Sequence, residues 1–253
     1  MLLSPRLPRR VTSFGLVAVL LTGCSGGGDA PRRTIEIIAD NQACTPARIE
    51  VKAGERVAFE VKNQASGDRE FEGVDGTKIE EVLIPAGRTR TIPYTVQESS
   101  TPLKVKCYIP AGPTTLIELA VTGKAASGGG QADEKGDESP FKTSKAPQAT
   151  VTVHMDSFVM KPDMMSVSAG PIRFMAMNDH ASEVHELAVL RLKEDGSYQN
   201  AGEVEDVAPK RSGSITLDLP KGKYVLACLI TPGEAGSKTD HFKSGMRVDF
   251  EVR

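Results

Sequence analysis

The chain contains no tryptophan, and all aromatic residues together make up only 5% of its 253 positions. Four cysteines are too few for a disulfide-built scaffold, so their placement matters more than their number. Charge of one sign is also lacking. The net charge is −2, and acids and bases are mixed along the chain, with no basic patch to meet nucleic acid or a strongly acidic partner. No segment has a convincing helical period, although a turn is expected near Glu234. The apolar run at 11–21 is too short to span a bilayer comfortably. Neither a nucleophile–base pair nor a Gly-rich phosphate loop is apparent, so an enzyme is not expected.

The run at 11–21 follows Arg6, Arg9 and Arg10 and ends in Leu21-Thr22-Gly23-Cys24, then Ser25 and three glycines. A basic start, a short apolar core and small residues before a cysteine have the character of an export signal. The last four residues resemble a bacterial lipobox. That resemblance implies cleavage after residue 23 and acylation of Cys24, and multiple acyl chains anchor a protein stably. The expected location is the cell envelope, with the protein lipid-anchored on the periplasmic or other extracytoplasmic face and the membrane as a partner through Cys24.

The organisation expected from composition is a signal peptide at 1–23, a tether at 24–33, a first domain at 34–123, a linker at 124–146 and a second domain at 147–253. The linker is rich in Gly, Ser, Asp, Glu and Lys and poor in large apolar residues, which leaves little for a core. Both domains read as β. Short alternating stretches such as Val57-Ala58-Phe59-Glu60-Val61 and Val248-Asp249-Phe250-Glu251-Val252 are separated by Gly, Pro, Asn and Asp. The fold class predicted is all-β, with two tandem Greek-key sandwiches.

The two domains also repeat one order of features. Each has Ala-Gly (Ala53-Gly54, Ala169-Gly170), then a strand ending in Asn (Asn63, Asn178). Seven residues later a polar residue opens the next strand (Glu70, His185), and a later strand ends in Cys (Cys107, Cys228). Acidic residues and Pro lie between (Glu81 and Pro85, Glu205 and Pro209). The repeat is too long for a solenoid and implies two copies of one fold.

This order resembles the cupredoxin family over nearly all of both domains. In the second domain His185-Glu186-Leu187, the strand ending in Cys228, then His241 and Met246 stand in the order of a type 1 (blue) copper site. One thiolate, two imidazoles and a thioether are the donors that suit copper in both oxidation states. The resemblance therefore implies a copper site made by His185, Cys228, His241 and Met246. One departure is plain: twelve residues separate Cys228 from His241, where the family has only a few. The insert, 232–240, is expected either to bulge out or to carry a partner contact.

The first domain resembles the cupredoxin-like domain of EfeO-type periplasmic iron-uptake proteins, on Asp40-Asn41-Gln42-Ala43-Cys44-Thr45-Pro46, Glu70-Phe71-Glu72, Glu80-Glu81, Pro85-Ala86-Gly87 and Cys107. That family's helical domain is absent, so iron uptake does not transfer whole. Glu70 stands where the ligand His would be, and no His or Met follows Cys107, so no type 1 site is expected there. Cys44 and Cys107 are expected at one end of the sandwich. They form either a second metal site, for Cu or Fe with Glu70 or Glu72, or a disulfide, which an exported compartment permits. Neither His154 nor His180 belongs to a motif. Met160, Met164 and Met165 are core filler or soft ligands near the site.

The expected function is an exported, lipid-anchored copper protein that carries electrons or handles iron or copper, with a redox or metal-transport protein as partner. The alternative is a non-redox binding module for a protein or an anionic polymer. A copper oxidase or reductase would need a second copper centre and more than the four histidines present.

Overall fold

The computed structural model describes residues 32–124 and 139–253. The expected signal peptide, Cys24, most of the tether and the middle of the linker lie outside the described residues. The described residues are all β, in two sandwiches, with no helix among them. No described helix is long and apolar enough to cross a membrane.

The first sandwich is built from β1 (Arg33–Ala39), β2 (Cys44–Thr45), β3 (Arg48–Lys52), β4 (Arg56–Asn63), β5 (Arg69–Val74), β6 (Val82–Ile84), β7 (Thr89–Thr95), β8 (Leu103–Tyr108) and β9 (Thr114–Thr122). The second uses β10 (Ala149–Asp156), β11 (Val159–Pro162), β12 (Ser166–Val167), β13 (Gly170–Asn178), β14 (His185–Leu192), β15 (Tyr198–Val207), β16 (Ser212–Leu219), β17 (Gly222–Ala227) and β18 (Arg247–Val252). Sheet orders are β2-β1-β4-β7 and β3-β9-β8-β5-β6 in the first, β11-β10-β13-β16 and β12-β18-β17-β14-β15 in the second. Adding nine to each strand number converts one sandwich into the other, so the repeat in the sequence is a repeat of topology.

Alternation explains the strands. In β1, Ile35, Ile37 and Ala39 are buried while Thr34 and Glu36 face out. The inward set meets Val57, Phe59 and Val61 of the parallel neighbour β4 in one core. The two repeated asparagines do the same work in each copy. The Asn63 side chain donates to the Gly67 and Ile84 carbonyls (2.9 and 2.8 Å) and accepts from the Ala65 amide. The Asn178 side chain donates to Glu183 and Val207 (2.8 and 2.7 Å) and accepts from the His180 amide. Each one satisfies buried loop backbone that no ladder could reach, and thereby fixes where the next strand begins.

The linker ends sooner than its composition suggests. Residues 139–146 run along β16, the edge strand of its sheet, with amide-to-carbonyl bonds from Asp218 to Phe141 and from Thr143 to Thr216. Phe141 packs on the second core. A single aromatic and an unpaired strand edge are enough to hold it.

The two five-stranded sheets face each other. Tyr108 of β8 joins Ala188, Leu190, Val225, Ala227 and Leu229 in a third apolar cluster between the sandwiches. Strand β14 is consequently buried on both faces from His185 to Leu190, with Leu187 and Val189 in the second core and Ala188 and Leu190 in the interface.

Candidate metal centre

His185 is the first residue of β14 and follows the loop that Asn178 pins. A register irregularity against β15 falls between His185 and Leu187. Cys228 lies just past the end of β17, and its amide donates to the Met246 carbonyl at 3.1 Å. From there the chain continues through Ile230, whose carbonyl accepts from the His241 amide (3.0 Å). A tight turn then carries 241–246: Gly245 donates to Phe242 and Met246 to His241, both at 3.0 Å. Gly245 has φ +99°, a conformation strained for any residue with a Cβ. Thus His241 and Met246 sit at the two ends of one turn, and Cys228 is tied to it by backbone.

The donor atoms converge. Cys228 Sγ lies 3.3 Å from His241 Nδ1, and His241 Nδ1 lies 3.4 Å from His185 Nδ1. All four residues, Met246 included, are almost completely buried. Two donors each about 2.0–2.3 Å from a common ion, at trigonal to tetrahedral angles, are themselves about 3.3–3.9 Å apart. The observed separations therefore suit one ion shared by three donors. Phe158 closes one side, its ring edge-on to His241 at 5.1 Å between centroids.

The insert fixes the tautomer of His241. The Ser237 hydroxyl donates to the Thr239 carbonyl (2.9 Å), so towards His241 Nε2, 3.1 Å away, it can only accept. Nε2 therefore carries the proton, and the Nδ1 lone pair points at Cys228 and His185. His185 Nε2 is buried without a hydrogen-bond partner. The backbone amide of Glu186 approaches Cys228 Sγ at 3.5 Å, the kind of donor that steadies a thiolate.

Electrostatics favour neutral imidazoles. Burial, then the positive forms of His241 and His180, pull His185 down to about 4. Burial also lowers His241, partly offset by Glu183 and Asp240. Burial pushes the Cys228 thiol well above its ordinary range, and the Glu186 carboxylate adds to this. A histidine whose folded pKa is depressed loses stability as pH falls from its unfolded value through its folded one. The metal-free protein is expected to lose about 3 kcal/mol through His185 between roughly pH 6.5 and pH 4. Urea titrations across that range check this, and a flat profile would contradict the neutral, buried histidine pair.

Residues 13–101 match the family model described as the cupredoxin-like domain. That match takes in β1–β7 of the first sandwich, and the second sandwich repeats the first one's strand order, so the described residues have the fold of two tandem cupredoxin-like β-sandwiches. Among curated proteins none matches the chain. Solved structures that resemble it include auracyanin B (17% identity, 46% of this chain and 96% of that one, TM-score 0.36). The dithionite-reduced auracyanin of Roseiflexus castenholzii shows 17% identity over 43% of this chain and 99% of its own, with TM-score 0.33. The multicopper oxidase McoA of Aquifex aeolicus shows 14% identity over 90% of this chain and 67% of its own, with TM-score 0.35.

In the first cupredoxin-like sandwich Cys44 and Cys107 are joined as a disulfide within the core. Of the two roles expected for this pair, the metal set with Glu70 or Glu72 is not assembled. Phe71 pairs with Cys107 and shares its inward face, so Glu70 and Glu72, one residue to either side, point the opposite way, into the interface. Strand alternation separates the thiols from the carboxylates.

Other candidates fall at or beyond the rim. His154 is exposed and bonded to Asp179 at 2.7 Å. His180 borders the site, its ring 5.7 Å from that of His185, and its Nδ1 accepts from the Glu183 amide. Met160 is core; Met164 and Met165 are exposed.

Three residues to which the sequence assigns no role meet between the sandwiches: Lys106, Glu186 and Glu234. Lys106 Nζ, fully buried, lies 3.2 Å from Glu72, 3.1 Å from Glu234 and 3.9 Å from Glu186. Burial would strip its proton, but Glu186, Glu72 and Glu234 outweigh that and hold it charged. Glu186 adjoins a site histidine and accepts from the Leu229 amide at 2.5 Å, directly after Cys228. Glu234 belongs to the insert and accepts from the Thr231 amide at 3.0 Å. The insert thus packs onto the first sandwich: Lys104 donates to the Gly233 carbonyl, and the Ala235 amide donates to Asp75. Gly233, at φ +95°, makes the turn. The extra length between Cys228 and His241 serves as a strap between sandwiches.

Proposed function

We propose that His185, Cys228, His241 and Met246 hold a single copper ion and that the protein carries electrons, or handles copper or iron, at the cell envelope. The observation behind this is the convergence of two imidazole nitrogens and one sulfur within 3.4 Å steps in a buried pocket. Copper would supply a one-electron couple and stabilise the thiolate form of Cys228. The chain's own residues supply the rest. Ser237 orients His241, the Glu186 amide faces the sulfur, Phe158 excludes water from one side, and the short 241–246 turn limits rearrangement. Asn178 and the strap hold the two halves of the site in register, so the ligand positions change little with oxidation state.

Lipid anchoring through Cys24 belongs to this reading. It rests on the basic start, the short apolar run and the Leu21-Thr22-Gly23-Cys24 box. The partner would be a membrane redox or metal-transport protein, which a tethered domain can reach.

Adding one equivalent of Cu(II) to the purified protein is expected to produce an intense visible thiolate-to-copper band. Cys228→Ser should abolish it. No band in the wild type, or the same band in the variant, would remove the proposal.

A further inference from the structure

Away from the copper ligands, the interface between the sandwiches gathers a second set of possible ligands. Glu72 of β5 and Glu203 and Glu205 of β15 each bring a carboxylate oxygen within 4.8 Å of the others. Glu72 is 3% exposed; one of its oxygens meets Lys106, and the other is buried with no hydrogen-bond partner. Both oxygens of Glu203 are buried and unpartnered as well. Leaving such atoms bare costs about 1–3 kcal/mol each, more when they are charged. Lys106 does not settle the account, because its single charge is already divided among Glu72, Glu186 and Glu234.

We propose that Glu72, Glu203 and Glu205 form a cation site between the two sandwiches, for a hard divalent ion of the Mn2+ or Ca2+ kind. Oxygens bound at about 2.1–2.5 Å to one ion lie up to about 4.2–5 Å apart, which the observed spacing matches. The donor set is carboxylate only. It suits hard cations and discriminates against Cu(I), so the two sites sort metals by chemistry. Glu205 is exposed, which gives the ion a way in and leaves positions for water. The ion would bridge β5 of one sandwich to β15 of the other and so fasten the interface. Protons are its competitors. Burial, together with neighbouring carboxylates, raises Glu72, Glu203 and Glu205 above their ordinary range. Binding at neutral pH should therefore release protons.

The test is calorimetric titration of the purified protein with Mn2+ and, separately, Ca2+, in two buffers of different ionisation enthalpy. One ion per chain with proton release is expected. Glu205→Gln, at an exposed position, should weaken binding by about 10-fold, and Glu203→Gln with Glu205→Gln by about 100-fold or more. A thermal transition in the metal-free double variant as high as in wild type would confirm that it folds, since glutamine removes unpartnered charge. Absence of binding by either ion at millimolar concentration would mean that the cluster holds protons only and would overturn the proposal. So would unchanged affinity in the folded double variant, which would place the ion elsewhere.

Discussion

Lys106→Ala is expected to destabilise the protein by about 3–5 kcal/mol, the range for removing one partner of a buried ion pair. The substitution leaves Glu72, Glu186 and Glu234 inside the interface without their shared ammonium. Its reach is wider than its own contacts. Glu186 holds the Leu229 amide next to Cys228, and Glu234 holds the turn of the strap that leads to His241. Metal affinity should fall together with stability. The loss should also depend on pH in a definite direction. Already in the wild type, burial outweighs Lys106 and raises Glu186 to about 7. Without Lys106 it rises further. A carboxyl with a raised folded pKa makes the folded state bind more protons, so stability falls as pH climbs from about 4.5 through that folded value. Urea unfolding of wild type and variant at both ends of that window should give a small difference at the acid end and a large one above neutrality. A change under about 1 kcal/mol at every pH would mean that the lysine is not what balances these charges.

Removing the Cys44–Cys107 disulfide should have a comparable effect on the first sandwich. The bridge spans 63 residues, and closing a loop of that length is worth about 4 kcal/mol in the chain-entropy account. Both sulfurs are buried in the first core, so Cys44→Ala with Cys107→Ala also forfeits packing there. Cys228 sits in the second core. The double variant should therefore unfold earlier while its second sandwich still develops the copper band. Loss of the band in a folded double variant would tie the bridge to the metal centre, contrary to the separation of the two cores.

The strands, the repeat and the grouping of His185, Cys228 and His241 were legible because each leaves a local mark. Alternation marks β1 and β4, Asn63 and Asn178 punctuate equivalent loops, and His185, Cys228, His241 and Met246 occur in fold order. The interface was not legible. Alternation tells which residues share a face, but not what covers the second face. Lys106, Glu70 and Glu72 stand at outward positions, where charge ordinarily meets water. The hint was β14, whose Leu187-Ala188-Val189-Leu190 run does not alternate, as expected of a strand covered on both sides. Likewise the strap reads as a Gly- and Ser-bearing loop. Its role depends on Glu234 reaching Lys106 from 128 residues away in the chain.

X-ray absorption at the copper edge of the loaded protein tests the metal centre most directly. One sulfur at about 2.2–2.3 Å and two imidazole nitrogens at about 2.0 Å from a single copper are expected, with the sulfur lost in Cys228→Ser. A first shell of nitrogen and oxygen alone in the wild type would contradict the assignment of Cys228, and with it the convergence on which the function rests.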